Sequence, residues 1–198
     1  MLSSIFRLQC LARNSMTVLE KEILDCKFCP FLEYEFNKTK ELGFGQNNRI
    51  MFVGSSPAVT SNKSKGESRF DYFFEALMQK VDITKKDYYF TNLVKTSIPA
   101  KVVLTEEQAK HCFSHLLKEI LEVKPQLIVL LGKVPRDAFG ILYPNKIVMK
   151  KFNSKTYTHK AIVYSAAHPG MLHYKPDLEA NYLKSLKIGL KYYKRILI

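Results

Sequence analysis

The 198 residues carry 31 lysines and arginines against 18 acids, for a formal charge of +13, and 46% of them are apolar. That length and apolar share suffice for a soluble globular domain with a real core, and no run approaches the roughly 18 to 20 apolar residues that a membrane-spanning helix needs. The basic excess favours a polyanionic partner such as nucleic acid, although a lysine-biased composition alone produces the same balance.

The segment Met1 to Thr17 holds Arg7 and Arg13, several serines and no acid before Glu20. It reads either as a short organellar presequence or as the result of an upstream start codon, with Met16 the alternative start. Residues 1–15 are therefore an extension ahead of one expected domain, 16–198. Val18 to Asp25 has a helical pattern that Cys26-Lys27-Phe28-Cys29-Pro30 ends, and the polar, Gly-punctuated stretch Glu33 to Asn48 reads as a loop. A first strand is expected over Arg49 to Val53, and Val59 to Ser68 is rich in Ser, Asn, Lys and Gly. An aromatic helix follows over Phe70 to Val81, in which Phe73 and Phe74 read as core, and then a second strand over Tyr88 to Leu93. Thr105 and Gln108 form a capping box ahead of Ala109, Cys112, Phe113, Leu116, Leu117 and Ile120, an apolar stripe at helical spacing. The third strand is expected over Gln126 to Leu131, stopping at Gly132 before a helix over Pro135 to Leu142. A fourth strand over Lys160 to Tyr164 and a closing helix over Asp177 to Ile198 complete the chain. Strands alternating with helices predict an α/β fold, a three-layer α/β/α sandwich around a mainly parallel four-stranded sheet.

The closing helix sets Leu183, Leu186, Leu190, Tyr193 and Leu197 on one face and Lys184, Lys187, Lys191 and Lys194 on the next. The lysine face either tracks phosphates or is simply solvated. Two loops, Gly54-Ser55-Ser56-Pro57-Ala58 and His168-Pro169-Gly170-Met171-Leu172, each follow an apolar strand, although about 110 residues separate them. Loops at the carboxyl ends of parallel strands meet over one pocket, so the two read as halves of one site. A histidine in such a loop can donate a hydrogen bond to a substrate or leaving group.

In order, Cys26-x-x-Cys29-Pro30, Met51-Phe52-Val53-Gly54-Ser55-Ser56-Pro57-Ala58, Tyr89-Phe90-Thr91-Asn92-Leu93-Val94-Lys95, Cys112, Ile128-Val129-Leu130-Leu131-Gly132 and His168-Pro169-Gly170-Met171-Leu172 follow a recognisable plan. From about Cys26 to Pro176 the chain resembles the uracil-DNA glycosylase superfamily, and within it the iron-sulfur branches called family 4 and family 5. The resemblance implies a monofunctional hydrolase that removes uracil from DNA as the first step of base excision repair, with neither a catalytic metal nor a covalent intermediate. Thymine-mismatch and hypoxanthine activity stay open. Such an enzyme must flip its target out of the stack, and so needs a phosphate-gripping surface, a wedge and a base-reading pocket.

What the resemblance implies for individual residues follows from this plan. Asn92 reads the O4 and N3 edge of uracil, since an amide offers both donor and acceptor. Phe70 stacks on the base, Leu172 with Met171 beside it is the wedge, and His168 steadies the departing anion. Gly54, Ser55, Ser56, Pro57 and Ala58 line the substrate and position the water. Family 4 carries an acid at the place of Ser55 (GEAPG) and family 5 an apolar version (GLAPA). The GSSPA here is closer to the second, which leaves water activation to Ser55, Ser56, backbone carbonyls or the electrophilicity of the sugar cation.

Relatives hold a four-iron four-sulfur cluster on four cysteine thiolates. Cys26, Cys29 and Cys112 match three of these, while Thr96 stands where the fourth thiolate belongs. A 4Fe-4S cluster would need Cys10, a water or a vacant iron site. The alternatives are a relic site without metal, or zinc with His111 or His115 helping. The missing acid and Thr96 also motivate a second reading, a weak or inactive nucleic-acid-binding module of the same fold. A nucleotide-binding enzyme of another kind is disfavoured by the lack of GxGxxG or GxxxxGK[ST] loops. The expected partner is uracil-containing DNA, single- or double-stranded. A monomer and an intracellular location, cytoplasmic, nuclear or organellar, complete the expectation.

Overall fold

Six strands, the central two apolar along their whole length, build a single sheet. The computed structural model describes residues 17–28, 43–45, 49–57, 69–98 and 102–196. The strands are β1 (Phe44–Gly45), β2 (Ile50–Gly54), β3 (Tyr89–Asn92), β4 (Leu127–Leu131), β5 (Ile147–Asn153) and β6 (Thr158–Ala166). Their order across the sheet is β1-β3-β2-β4-β6-β5. The inner four, β3, β2, β4 and β6, are parallel and correspond to the four expected strands. The sheet is six-stranded rather than four-stranded, because β1 and β5 add antiparallel edges.

Strand β5 escaped the sequence reading because only Phe152 of its seven residues is buried, and an exposed edge strand lacks the apolar run that marks a central one. It forms a hairpin with β6, which runs from Thr158 to Ala166 and is longer than the expected Lys160 to Tyr164. The helices are α1 (Val18–Asp25), α2 (Arg69–Gln79), α3 (Glu106–Val123), α4 (Lys133–Ala138) and α5 (Glu179–Ile196). Helix α3 starts on the expected capping box, with Thr105 accepting from the Gln108 amide and Gln108 accepting from the Thr105 amide. Helix α1 carries a second such box, on Thr17 and Glu20. Helix α4 ends at Ala138, short of the expected Leu142, and a tight turn at Gly140 (φ 66°) follows.

The period-2 alternation of strand side chains explains the layers. Phe52, Phe90, Leu127, Val129, Leu131, Ile162 and Tyr164 point to one face, where they pack with Phe74, Leu77 and Met78 of α2 and Tyr182, Leu186 and Leu190 of α5. Met51, Val53, Ile128, Leu130, Ala161 and Val163 point to the other, against Leu116 and Ile120 of α3. Both faces of β2 and β4 are buried throughout, as a parallel sheet between helices requires. The three-layer sandwich is as expected. On α5, Lys184, Lys187 and Lys191 are exposed beside buried Leu186 and Leu190. Among the described residues no helix is long and apolar enough to cross a membrane.

Candidate active site

Four parallel strands present their carboxyl ends on one edge, and Gly54, Asn92 and His168 stand there. β2 ends at Gly54 and runs on into Ser55, Ser56 and Pro57, while β3 ends at Asn92, directly opposite Gly54 in the register. The ladder continues one step past both strands, since the Leu93 and Val94 amides donate to the Gly54 and Ser55 carbonyls, each at 2.9 Å. Gly54 is required by this geometry: a Cβ there would stand 2.4 Å from Asn92 Oδ1. The missing side chain is what lets the Asn92 amide lie over the end of β2.

His168 follows β6 two residues after Ala166 and begins the 3-10 turn Pro169–His173. Its Nδ1 accepts a hydrogen bond from the Gly170 amide at 3.1 Å. A neutral imidazole whose Nδ1 accepts carries its proton on Nε2, so the ring offers an N–H donor on its free side. The ring is open to solvent on that side, yet its apolar surroundings desolvate it enough to lower its pKa from the ordinary histidine value. Two glycines make room for it. Gly132, at φ 96° on the end of β4, would place a Cβ 3.0 Å from His168 Cβ, and Gly170 one 2.9 Å from Nδ1. Gly170 shares the histidine's loop in the sequence, whereas Gly132, at the end of another strand, is brought beside it only by the fold.

Phe70 links the two halves. Its ring stacks on His168 with centroids 5.4 Å apart and lies 6.3 Å from the ring of Phe90, which also borders Gly54. β2 and β6 are separated only by β4, two strand spacings or about 9.5 Å. The site therefore joins Gly54, Asn92, Phe70 and His168. Ser55 and Ser56 are half-buried beside it and Pro57 is buried, while Ala58 lies outside the described residues. Phe74 belongs to the core as expected, whereas Phe73 is half-buried against His173.

The two side chains expected as the wedge are not exposed in this structure. Leu172 is 4% exposed and packs in the core between the sheet and α5, and Met171 is half-buried against the same cluster. The large side chain this turn does present is Tyr174, at 89% exposure.

A second cluster lies on the opposite side of the sheet, between α1 and α3. Cys26 caps the end of α1, and its Sγ stands 3.3 Å from His111 Nε2. His115 lies one turn along α3, its rings in edge contact with those of His111 at 5.3 Å. Burial, and then the nearby His111, push the His115 pKa down. Cys112 and Thr96 line the same cavity. Thr96 is 2% exposed and puts a hydroxyl, a poor iron ligand, where the fourth thiolate was expected. Two imidazoles occupy the site as well. Among the described residues only Cys26 and Cys112 bring thiolates to this cavity, fewer than a four-thiolate 4Fe-4S cluster takes, and Cys29 and Cys10 lie outside them.

Adjacent to this cavity, Lys95 Nζ donates to Glu119 Oε2 at 2.7 Å and to Thr91 Oγ1 at 2.6 Å, while Tyr89 donates to Glu119 Oε1 at 2.7 Å. Burial, with the Glu119 charge second, pushes the Tyr89 phenol far up, so it stays a donor. This buried network pins β3 to α3.

A doubly covered parallel sheet that gathers a histidine, an amide and an aromatic face at its strand ends has the form of an α/β enzyme site. Residues 42–187 match the Uracil DNA glycosylase superfamily. The chain belongs to that superfamily. It is 22% identical to the type-4 uracil-DNA glycosylase of Archaeoglobus fulgidus over 88% of this chain and 91% of the relative. With the protein of the same description from Sulfurisphaera tokodaii it shares 25% identity over 83% and 79% of the two chains. For the one from Thermotoga maritima the identity is 29%, over 63% and 65%.

Proposed function

We propose that the protein is a hydrolytic DNA glycosylase that releases uracil from DNA, working from the site formed by Gly54, Asn92, Phe70 and His168. The observation that carries this reading is the Gly170 amide bonded to His168 Nδ1, which places the proton of a neutral ring on Nε2. The superfamily match and the names of the relatives support the choice of substrate.

A flipped nucleotide enters at the strand ends, where the Phe70 ring offers a stacking face and the Asn92 amide pairs with the O4 and N3 edge of the base. The bond from C1′ to N1 then breaks heterolytically, its electron pair leaving with uracil and the sugar becoming an oxocarbenium ion. His168 Nε2–H donates to the oxygen on which that charge gathers, without giving up its proton. Water adds to C1′ and loses a proton to solvent. The Ser55 and Ser56 hydroxyls hold that water beside the Gly54 and Ser55 carbonyls, which accept from the Leu93 and Val94 amides and keep a second lone pair each. Tyr174, the exposed ring beyond the histidine turn, takes the wedge role first assigned to Leu172.

The test is incubation with single-stranded and duplex oligonucleotides containing uracil, hypoxanthine or a G·T mismatch, followed by alkali. Scission at uracil is the expected result, and binding without scission on every substrate would leave only the binding-module reading. Tyr174→Ala should slow uracil removal from duplex by roughly tenfold while sparing single strands, because only a duplex has a gap to fill. Equal losses on both would remove Tyr174 from the wedge role.

A further inference from the structure

The cavity between α1 and α3 takes no part in the chemistry above, yet its donors are arranged for a metal. We propose that Cys26, His111 and His115 bind a single divalent ion of the zinc type, in place of the four-thiolate cluster that the family resemblance implies. The inference goes beyond the glycosylase reading and does not rest on it.

Geometry is the first support. The Cys26 sulfur and the ring nitrogens of His111 and His115 all lie within 4.8 Å of one another. A thiolate at roughly 2.3 Å and an imidazole at roughly 2.1 Å from a tetrahedral zinc stand about 3.6 Å apart. Cys26 Sγ and His111 Nε2 stand at 3.3 Å, close to that edge. His115 is the second support. Both its ring nitrogens are buried and have no hydrogen-bond partner among the described residues, and a metal bond would satisfy one of the two. Helix α3 sets it one turn from His111, so both rings leave the same face.

The surroundings favour one small ion. The cavity measures about 30 Å³ and is walled by Ile23, Leu93, Val94 and Lys95, whose charge Glu119 pairs. Phe28 packs on His111 with centroids 4.1 Å apart and fixes its ring. One thiolate with two imidazoles is a donor set that tetrahedral zinc accepts. Cys26 and Cys29 are spaced C-x-x-C and His111 and His115 H-x-x-x-H, as in structural zinc sites, although Cys29 lies outside the described residues and the site stands on the other three. Bound there, the ion would tie α1 to α3 beside the segment that follows Asn92.

The test uses the full chain, purified without chelator, and reads metal content by mass spectrometry rather than by activity. The expected protein is colourless, with one equivalent of zinc and no stoichiometric iron. After chelation it should take up one Co(II), with the visible bands of a tetrahedral site and a thiolate charge-transfer band in the near ultraviolet. His111→Ala and His115→Ala should each lower zinc affinity by roughly tenfold or more, and Cys112→Ser should leave it unchanged. A variant that fails to fold also loses metal, so circular dichroism accompanies each one, and the cobalt titration of the wild type needs no variant. A brown protein holding iron and sulfide would overturn the proposal. So would a colourless one that neither carries zinc nor takes up Co(II), or a His111→Ala/His115→Ala double variant that keeps its zinc.

Discussion

In the proposed mechanism His168 donates as a neutral ring, since protonation would put a hydrogen on Nδ1 where the Gly170 amide now bonds. Its pKa is lowered by burial from 6.5, so the folded chain keeps the donor form further into acid than a free histidine would. Between the unfolded and folded values the unfolded chain binds more protons, and stability contributed by this group is lost as pH falls through that window. Activity should behave likewise. The kcat/KM for uracil removal is expected to be flat near neutrality and to fall about tenfold per pH unit below a midpoint under 6.5. That limb should be missing in His168→Gln; a wild-type midpoint above 6.5 would contradict the neutral-donor account. Gly54 gives a second residue-scale prediction. A Cβ 2.4 Å from Asn92 Oδ1 must displace the amide, so Gly54→Ala should cut kcat/KM by roughly 100-fold, about 2.7 kcal/mol of transition-state stabilisation. Unchanged kinetics would mean that Asn92 does not read the base.

At the scale of elements, β3 and α3 act as one piece through the Lys95–Glu119 pair, both side chains 5% exposed. Lys95→Met leaves a buried carboxylate short of its cation and should cost about 3–5 kcal/mol in urea denaturation, whereas Lys95→Met/Glu119→Leu should recover much of that loss. A single variant as stable as wild type would show the pair to be dispensable. This network was not legible in the sequence, because a lysine and a glutamate 24 positions apart carry no periodicity that marks them as partners. The four inner strands were legible, since burial on both faces turns each into a continuous apolar run. Their loops were legible for the same reason. Edge strand β5 was not, and neither was the burial of Leu172, which depends on how α5 folds back over the Pro169–His173 turn. Gly189 shows how tight that closure is: a Cβ there would meet the Tyr164 ring at 2.6 Å.

For the whole molecule, the parallel order β3-β2-β4-β6 gathers residues from four distant parts of the chain onto one edge of the sheet, while the proposed metal cavity sits on the α3 side. The net charge of +13 suits a polyanionic substrate. The central claim is that this edge releases uracil through the neutral ring of His168. Single-turnover release of free uracil from a U·G duplex, followed by mass spectrometry for the wild type and for His168→Gln, tests it most directly. The account predicts one uracil released per site by the wild type and a variant slower by about 10²–10³-fold, the cost of removing one such donor. No free uracil from the wild type, or a His168→Gln chain that releases it equally fast, would contradict it.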